Sequence, residues 1–259
     1  MQAVQTCAAL RVEGLGVRYG ALVALDGVHW EVHPGELLGI IGPNGAGKSS
    51  CYEAVTAMVR RQGRVFLAGE DVTGAPPHEL AGRGLKRAFQ QNAFFDDLSV
   101  LDNMIAVLGR RAYASLPASV LMPGAAARRR RLAAEFAARQ LERFAVPSNY
   151  HGLTPREIPY GVQRMLSIAL AFGDGARVLM LDEPAAGLGG EDMERLILLL
   201  TTLKKEGIAL VVIEHHMDLI MAVADRICVL DFGRQLALGS PSEIRRDERV
   251  LEAYLGKTQ

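Results

Sequence analysis

Residues 42–49 read GPNGAGKS, with three glycines, a lysine and a hydroxyl at the spacing of a loop that wraps phosphate. Small residues let the backbone curl so that successive N–H groups aim at phosphate oxygens, and the helix-like SSCYEAVTAMV that follows adds its positive end. In such a loop Lys48 brings a point charge to the β- and γ-phosphates and Ser49 a hydroxyl to Mg²⁺. Gly42, Pro43, Asn44, Gly45, Ala46, Gly47 and Ser50 complete the candidate phosphate-binding set. The plain alternative is a glycine turn between strand and helix, and every fixed position of GxxxxGK[ST] speaks against it. A second chemical feature is VLMLDEP, residues 178–184, an apolar run that stops in two acids. Asp182 suits the coordination of a metal, and Glu183 the orientation or deprotonation of a water. Two adjacent acids at the end of a buried strand are costly unless a cation is near. A third is EIPYGVQR, residues 157–164. A helix starting near Tyr160 and Gly161 offers N–H groups to an anion, and Gly161 allows close backbone approach. Proline also begins ordinary helices, so these residues alone leave both readings open.

The elements that must hold these residues are legible around them. LLGII before Gly42, VLMLDE at 178–183 and IALVVIEHH at 208–216 read as strands of a parallel sheet covered on both faces, with functional residues at their carboxyl ends. EDMERLILLLTTLKKEG has apolar residues at helical spacing and closes on Gly207, so 178–213 reads as strand, helix, strand. The class is α/β. Residues 91–165 differ: SVLDNMIAVLGRR and ARRRRLAAEFAARQLERFAV read as helices of an insertion. The tail after Pro241 reads as short helices.

Composition bounds the rest. A chain of 259 residues, 49% of them hydrophobic, can fill one large core or two small ones. The longest apolar candidate for a membrane span is broken by Glu214, His215, His216 and Asp218, and the amino terminus lacks a secretory pattern, so a soluble chain is expected. Three cysteines without CxxC spacing indicate neither a disulfide framework nor a zinc knuckle. Lys plus Arg and Asp plus Glu both number 29, which leaves no global field for nucleic acid. Arg128 to Arg131, with Arg110 and Arg111, read as a solvated helix face, or else as a contact for lipid headgroups or a membrane partner.

In their order along the chain these motifs resemble the ATP-binding subunits of ABC transporters. GPNGAGKS resembles the Walker A loop, VLMLDEP the Walker B strand, and IPYGVQR falls where the family's signature belongs. The resemblance implies a RecA-like P-loop core (1–90 and 166–259) with a helical subdomain (91–165), forming a single nucleotide-binding domain. It implies that Tyr19 in VRYGALVAL stacks on adenine, that Gln90 in KRAFQQN is the Q-loop glutamine, that Glu183 is the catalytic glutamate and that His215 is the switch histidine. It makes ATP and Mg²⁺ the cofactors, with Ser49, Asp182 and Gln90 around the metal. It also assigns Tyr160, Gly161, Val162 and Gln163 to the γ-phosphate of ATP bound on a facing subunit. Within the family, YGVQR, the AAGL after LDEP, EHHMDLIMAVADRICVL, the extended arm before Arg128 and the ending EAYLG look most like the branched-chain amino acid importers. That implies a second ATPase subunit, as heterodimer or homodimer, integral-membrane permease subunits, an external solute-binding protein acting indirectly, and a place at the cytoplasmic face of the membrane. Phe94, Phe95 and Leu98 lie where the family docks a permease helix, with a plain core role as the alternative. The lipopolysaccharide-export ATPases look similar too, and a non-transport ABC ATPase or a weakly catalytic regulator would share the nucleotide motifs. Two positions depart from the family: Pro159 replaces the signature serine, and Gly189 stands where many relatives carry aspartate.

Overall fold

Runs without polar residues become interior strands here because nothing in them needs water. Residues 7–88, 93–108 and 123–255 are described in this computed structural model, which divides into two compact units. The first comprises the described parts of 1–87, 176–187 and 200–259; the second those of 88–175 and 188–199.

Ten strands belong to the first unit. They are β1 (Leu10–Tyr19), β2 (Leu22–Val32), β3 (Leu37–Ile41), β4 (Gln62–Leu67), β5 (Glu70–Asp71), β6 (Leu85–Arg87), β7 (Val178–Asp182), β8 (Ala209–Ile213), β9 (Arg226–Asp231) and β10 (Arg234–Gly239). Six form a sheet in the order β10-β9-β3-β8-β7-β6, parallel except for the β9–β10 pair. The expected strands at 37–41 and 178–182 lie in its middle, and every residue of β3 and β8 is buried. The strand expected over 208–216 ends at Ile213, because Glu214 turns its side chain to the backbone rather than extending the ladder. A second, antiparallel sheet runs β2-β1-β4-β5 and was not foreseen from the sequence. Its strands carry register shifts between Val12 and Arg18 that break the alternation such strands normally display.

The core lies between these sheets. Leu38, Ile40, Met180, Val211 and Leu230 from one meet Leu10, Val12, Val28 and Val65 from the other, with the helix α1 (Lys48–Val55) supplying Cys51, Tyr52 and Val55. Cys51 is fully buried, and burial pushes its thiol up to about 12, which makes it packing rather than reactive sulfur. The last carbonyls of α1 are closed by Arg61, which donates to Ala54 O and Val55 O and, from its other nitrogen, to Thr73 O at 2.9 Å.

Helices make up the second unit. Val100–Leu108, Pro123–Arg143 and Tyr160–Phe172 belong to it, with the first part of Gly190–Lys205. Phe144 and Phe172 meet ring to ring at 5.1 Å. Arg128, Arg129 and Arg130 are exposed, and Arg131 pairs with Glu135, while Arg110 and Arg111 lie outside the described residues. Among the described residues no helix is long and apolar enough to cross a membrane.

Candidate functional site

The loop after β3 turns because Gly42 has φ +155°, and a side chain there would meet Leu230 O at 2.2 Å. It leads directly into α1, whose first residue is Lys48. The Lys48 ammonium donates to Gly42 O at 2.7 Å and Pro43 O at 3.0 Å. Burial lowers its pKa, and the charges of Glu183 and Asp182 oppose that shift. A cavity of about 430 Å³ is lined by Tyr19, Val23, the loop from Asn44 to Ser50, Glu183 and Phe232. Tyr19 ends β1 half-exposed on its wall, with its hydroxyl donating to Glu53 at 3.3 Å. A second cavity, of about 640 Å³, shares Asn44, Gly45, Ala46 and Phe232 with the first and extends to Leu236, Arg249 and Ala253.

Two neighbouring strands bring acids and a histidine to the same end of the sheet. Asp182 closes β7, and its carboxyl is pushed up to about 6, first by burial and then by Glu183, with Arg87 opposing and Glu214 and Glu53 adding. Glu183 follows at φ +46°, a left-handed conformation for a residue with a side chain, and its N–H donates to Ile213 O at 2.8 Å. Backbone outliers of this kind gather at working sites. His215, just past β8, places Nδ1 3.4 Å from Glu183 Oε1.

The structure therefore gathers Tyr19, Gly45, Ala46, Gly47, Lys48, Ser49, Ser50 and Glu183 around one cavity, with Asp182 and His215 beside Glu183. Gln90 lies outside the described residues. Tyr160, Gly161, Val162 and Gln163 belong to the second unit and do not line that cavity. There Pro159 is the N-cap of the helix Tyr160–Phe172 and contributes no side-chain cap. Gln163 turns its amide back to Ile158 O at 3.0 Å. At Gly161 a methyl group would lie 2.1 Å from Asp192 Oδ2, in a carboxylate that also pairs with Arg195. Phe95 and Leu98 are exposed on a loop pinned by fully buried Asn103, whose amide accepts from Phe95 N and donates to the carbonyls of Phe95, Leu98 and Ser99.

Three contributors escaped the sequence reading. Arg87, the end of β6, donates to Thr56 at 3.0 Å, lies 4.9 Å from the Tyr52 ring and opposes the upward shift of Asp182. Its only signal was an arginine closing a short strand, and that becomes informative only when β6 is known to flank β7. Asp192 and Glu214 carried no local signal of their parts here, since Gly161 and Ala185, which they meet in the fold, are distant in sequence.

Comparison with known proteins gives the same picture. The family model described as ABC transporter matches residues 25–186, and one described as branched-chain amino acid ATP-binding cassette transporter matches 234–258. BraF of Pseudomonas aeruginosa, a high-affinity branched-chain amino acid transport ATP-binding protein, is 35% identical over 96% of this chain and 98% of its own. LivG of Escherichia coli, of the same description, is 34% identical over the same shares. The lipopolysaccharide export system ATP-binding protein LptB of Haemophilus influenzae is 29% identical over 96% of this chain and 97% of its own. Among solved structures, a nucleotide-free ATP-binding cassette from an ABC transporter superposes with a TM-score of 0.82 at 27% identity, covering 96% of this chain and all of that one. With a phosphate loop, paired strand-end acids and a histidine on a RecA-like α/β sheet, and with these relatives spanning nearly its whole length, the chain belongs to the ATP-hydrolysing ATP-binding cassettes of the ABC transporter family.

Proposed function

We propose that this chain is the ATPase subunit of an importer for branched-chain amino acids or related small solutes, paired with a second cassette beneath permease subunits at the cytoplasmic face of the membrane. The relatives named for branched-chain amino acid transport, at 35% and 34% identity against 29% for the lipopolysaccharide exporter, support that solute class, as does the match over 234–258. The observation that carries the reading of the site is the left-handed Glu183, on the wall of the cavity shared with the phosphate loop and 3.4 Å from His215.

The residues present fit Mg²⁺: the carboxyl of Asp182, raised first by its burial and then by its acidic neighbours, is the kind of group a divalent cation relieves. Ser49 and Asp182 would hold it, with Gln90, and when bound it supplies charge for the phosphate oxygens. The loop N–H groups and Lys48 grip the β- and γ-phosphates, and Tyr19 takes the adenine face. Glu183 accepts a hydrogen bond from a water and aligns it on the γ-phosphorus; as the new P–O bond forms and the bond to the β-phosphate oxygen breaks, its carboxylate is the acceptor for the water's proton. His215 steadies Glu183 and the charge that develops on the γ-phosphate. The helix start at Tyr160, Gly161, Val162 and Gln163 serves the nucleotide of the facing cassette. Pro159 brings neither hydroxyl nor N–H to that contact, which favours a heterodimer whose other member has a fuller signature.

The test is Glu183→Gln, which keeps the shape and removes the base. Turnover should fall about 10²- to 10⁴-fold with ATP affinity retained. Turnover within a few-fold of the parent would remove Glu183 from the mechanism.

A further inference from the structure

Glu214 is fully buried, yet no lysine or arginine among the described residues pairs with it. Its carboxylate is held by peptide N–H groups instead. One oxygen accepts from Ala185 N at 2.8 Å, and the other from His215 N at 3.0 Å and His216 N at 3.1 Å. Its own N–H donates to Ile40 O at 3.2 Å, so its backbone is tied to the central strand. The only ionisable base within ion-pairing distance among the described residues is His215, with Nδ1 at 3.7 Å.

A buried carboxylate is an expensive way to close a strand end, since neutral side chains can accept the same N–H groups with a much smaller desolvation cost. What a carboxylate adds is two oxygens, fixed relative to one another, that reach two different loops at once. Here the two loops are the ones that matter. Ala185 lies two residues beyond Glu183, and His215 is the group facing Glu183. Glu214, His215 and His216 also lie close enough to resemble a metal cluster, with candidate ligand atoms within 4.8 Å of one another. The three backbone bonds to the carboxylate assign Glu214 to the protein's own loops rather than to an ion.

We propose that Glu214 is a positioning residue that sets the spacing between Glu183 and His215 by clamping the backbones of both their loops. Fully buried, it acts only through those two side chains. The proposal rests on the roles given above to Glu183 and His215.

Replacement by glutamine tests it, because an amide has one acceptor oxygen and must turn an N–H₂ group toward one of the loops. In the purified transporter, Glu214→Gln should lower kcat about 10- to 100-fold, the cost of displacing groups that act on the transition state by a fraction of an ångström. The Kd for ATP should stay within about three-fold, and Glu214→Gln added to His215→Ala should lower kcat by no more than about three-fold below His215→Ala alone, since both remove one arrangement. Glu214→Asp, which keeps the charge but cannot span the gap, should fold, bind ATP and lose kcat in the same way. It decides the matter if the glutamine variant does not fold. Full kcat in either variant, ATP affinity falling in step with kcat, or losses that multiply with His215→Ala would each overturn the clamp. If His215→Ala itself leaves kcat unchanged, the reading of the site fails and the clamp with it. If His215→Ala abolishes turnover and Glu214→Gln does not, the site stands and the clamp alone falls.

Discussion

The acids at the end of β7 should make the protein less stable until a cation arrives, and Asp182 allows the amount to be worked out. Its carboxyl titrates near 6 in the fold, raised first by burial and then by Glu183, against about 4 for an exposed aspartate. A folded-state value above the unfolded one means that ionisation opposes folding. The penalty is absent below about pH 4, grows between 4 and 6, and is complete above 6. Full linkage would be about 3 kcal/mol, and partial exposure to water reduces it to about 1–2 kcal/mol. Asp182→Asn removes the charge. In chelator without nucleotide at pH 7.5 it should therefore melt about 3–6 °C above the parent, while at pH 4.5 the gap should shrink to about a third. With Mg²⁺ and ATP the order should reverse, because the parent alone gains the bound cation. Differential scanning fluorimetry across this grid is sufficient. An asparagine variant no more stable than the parent at pH 7.5, or a gap that does not shrink on acidification, would refute the electrostatic account of Asp182.

Three further outcomes are expected. Lys48→Ala should weaken ATP binding about ten-fold or more by calorimetry with little change in melting temperature, since its bonds in this structure are to its own loop carbonyls. Pro159→Ser should raise the ATPase rate of the isolated chain about ten-fold or more by supplying an acceptable cap and a phosphate donor, and should matter less once the partner cassette is present. Gly161→Ala should force Asp192 from its place and destabilise by about 1 kcal/mol. Adding Asp192→Ala should restore the melting temperature, and an ATPase rate restored with it would show that Gly161 serves only the internal contact.

The parts of the fold that the sequence disclosed were those written in contiguous residues. LLGII, VLMLD and ALVVI are unmistakable because a strand buried on both faces needs no polar residue until it ends. GPNGAGKS is legible for the same reason: loop, charge and helix start are adjacent. The antiparallel sheet was hidden because β1, the strand that pairs with both β2 and β4, carries several register shifts that blur the alternation between Leu10 and Tyr19. Glu214 looked like an interruption in an apolar run, and its meaning depends on Ala185 lying beside it after folding. Arg87 and Asp192 belong with it, as residues whose partners are supplied by another element.

The place of β3 in its sheet bears on how the protein is made. This strand, which delivers the phosphate loop, has β8 along one edge and β9 along the other, and both are encoded in the last quarter of the chain. A ribosome therefore extrudes Leu37–Ile41 long before either neighbour exists, leaving five wholly apolar residues with both edges unpaired through most of synthesis. Nucleotide cannot rescue such an intermediate, since the strand that aims its loop has nothing to lie against. Carboxy-terminal truncations ending before Ala209 should accordingly emerge as chaperone clients or aggregates rather than as weak ATP binders.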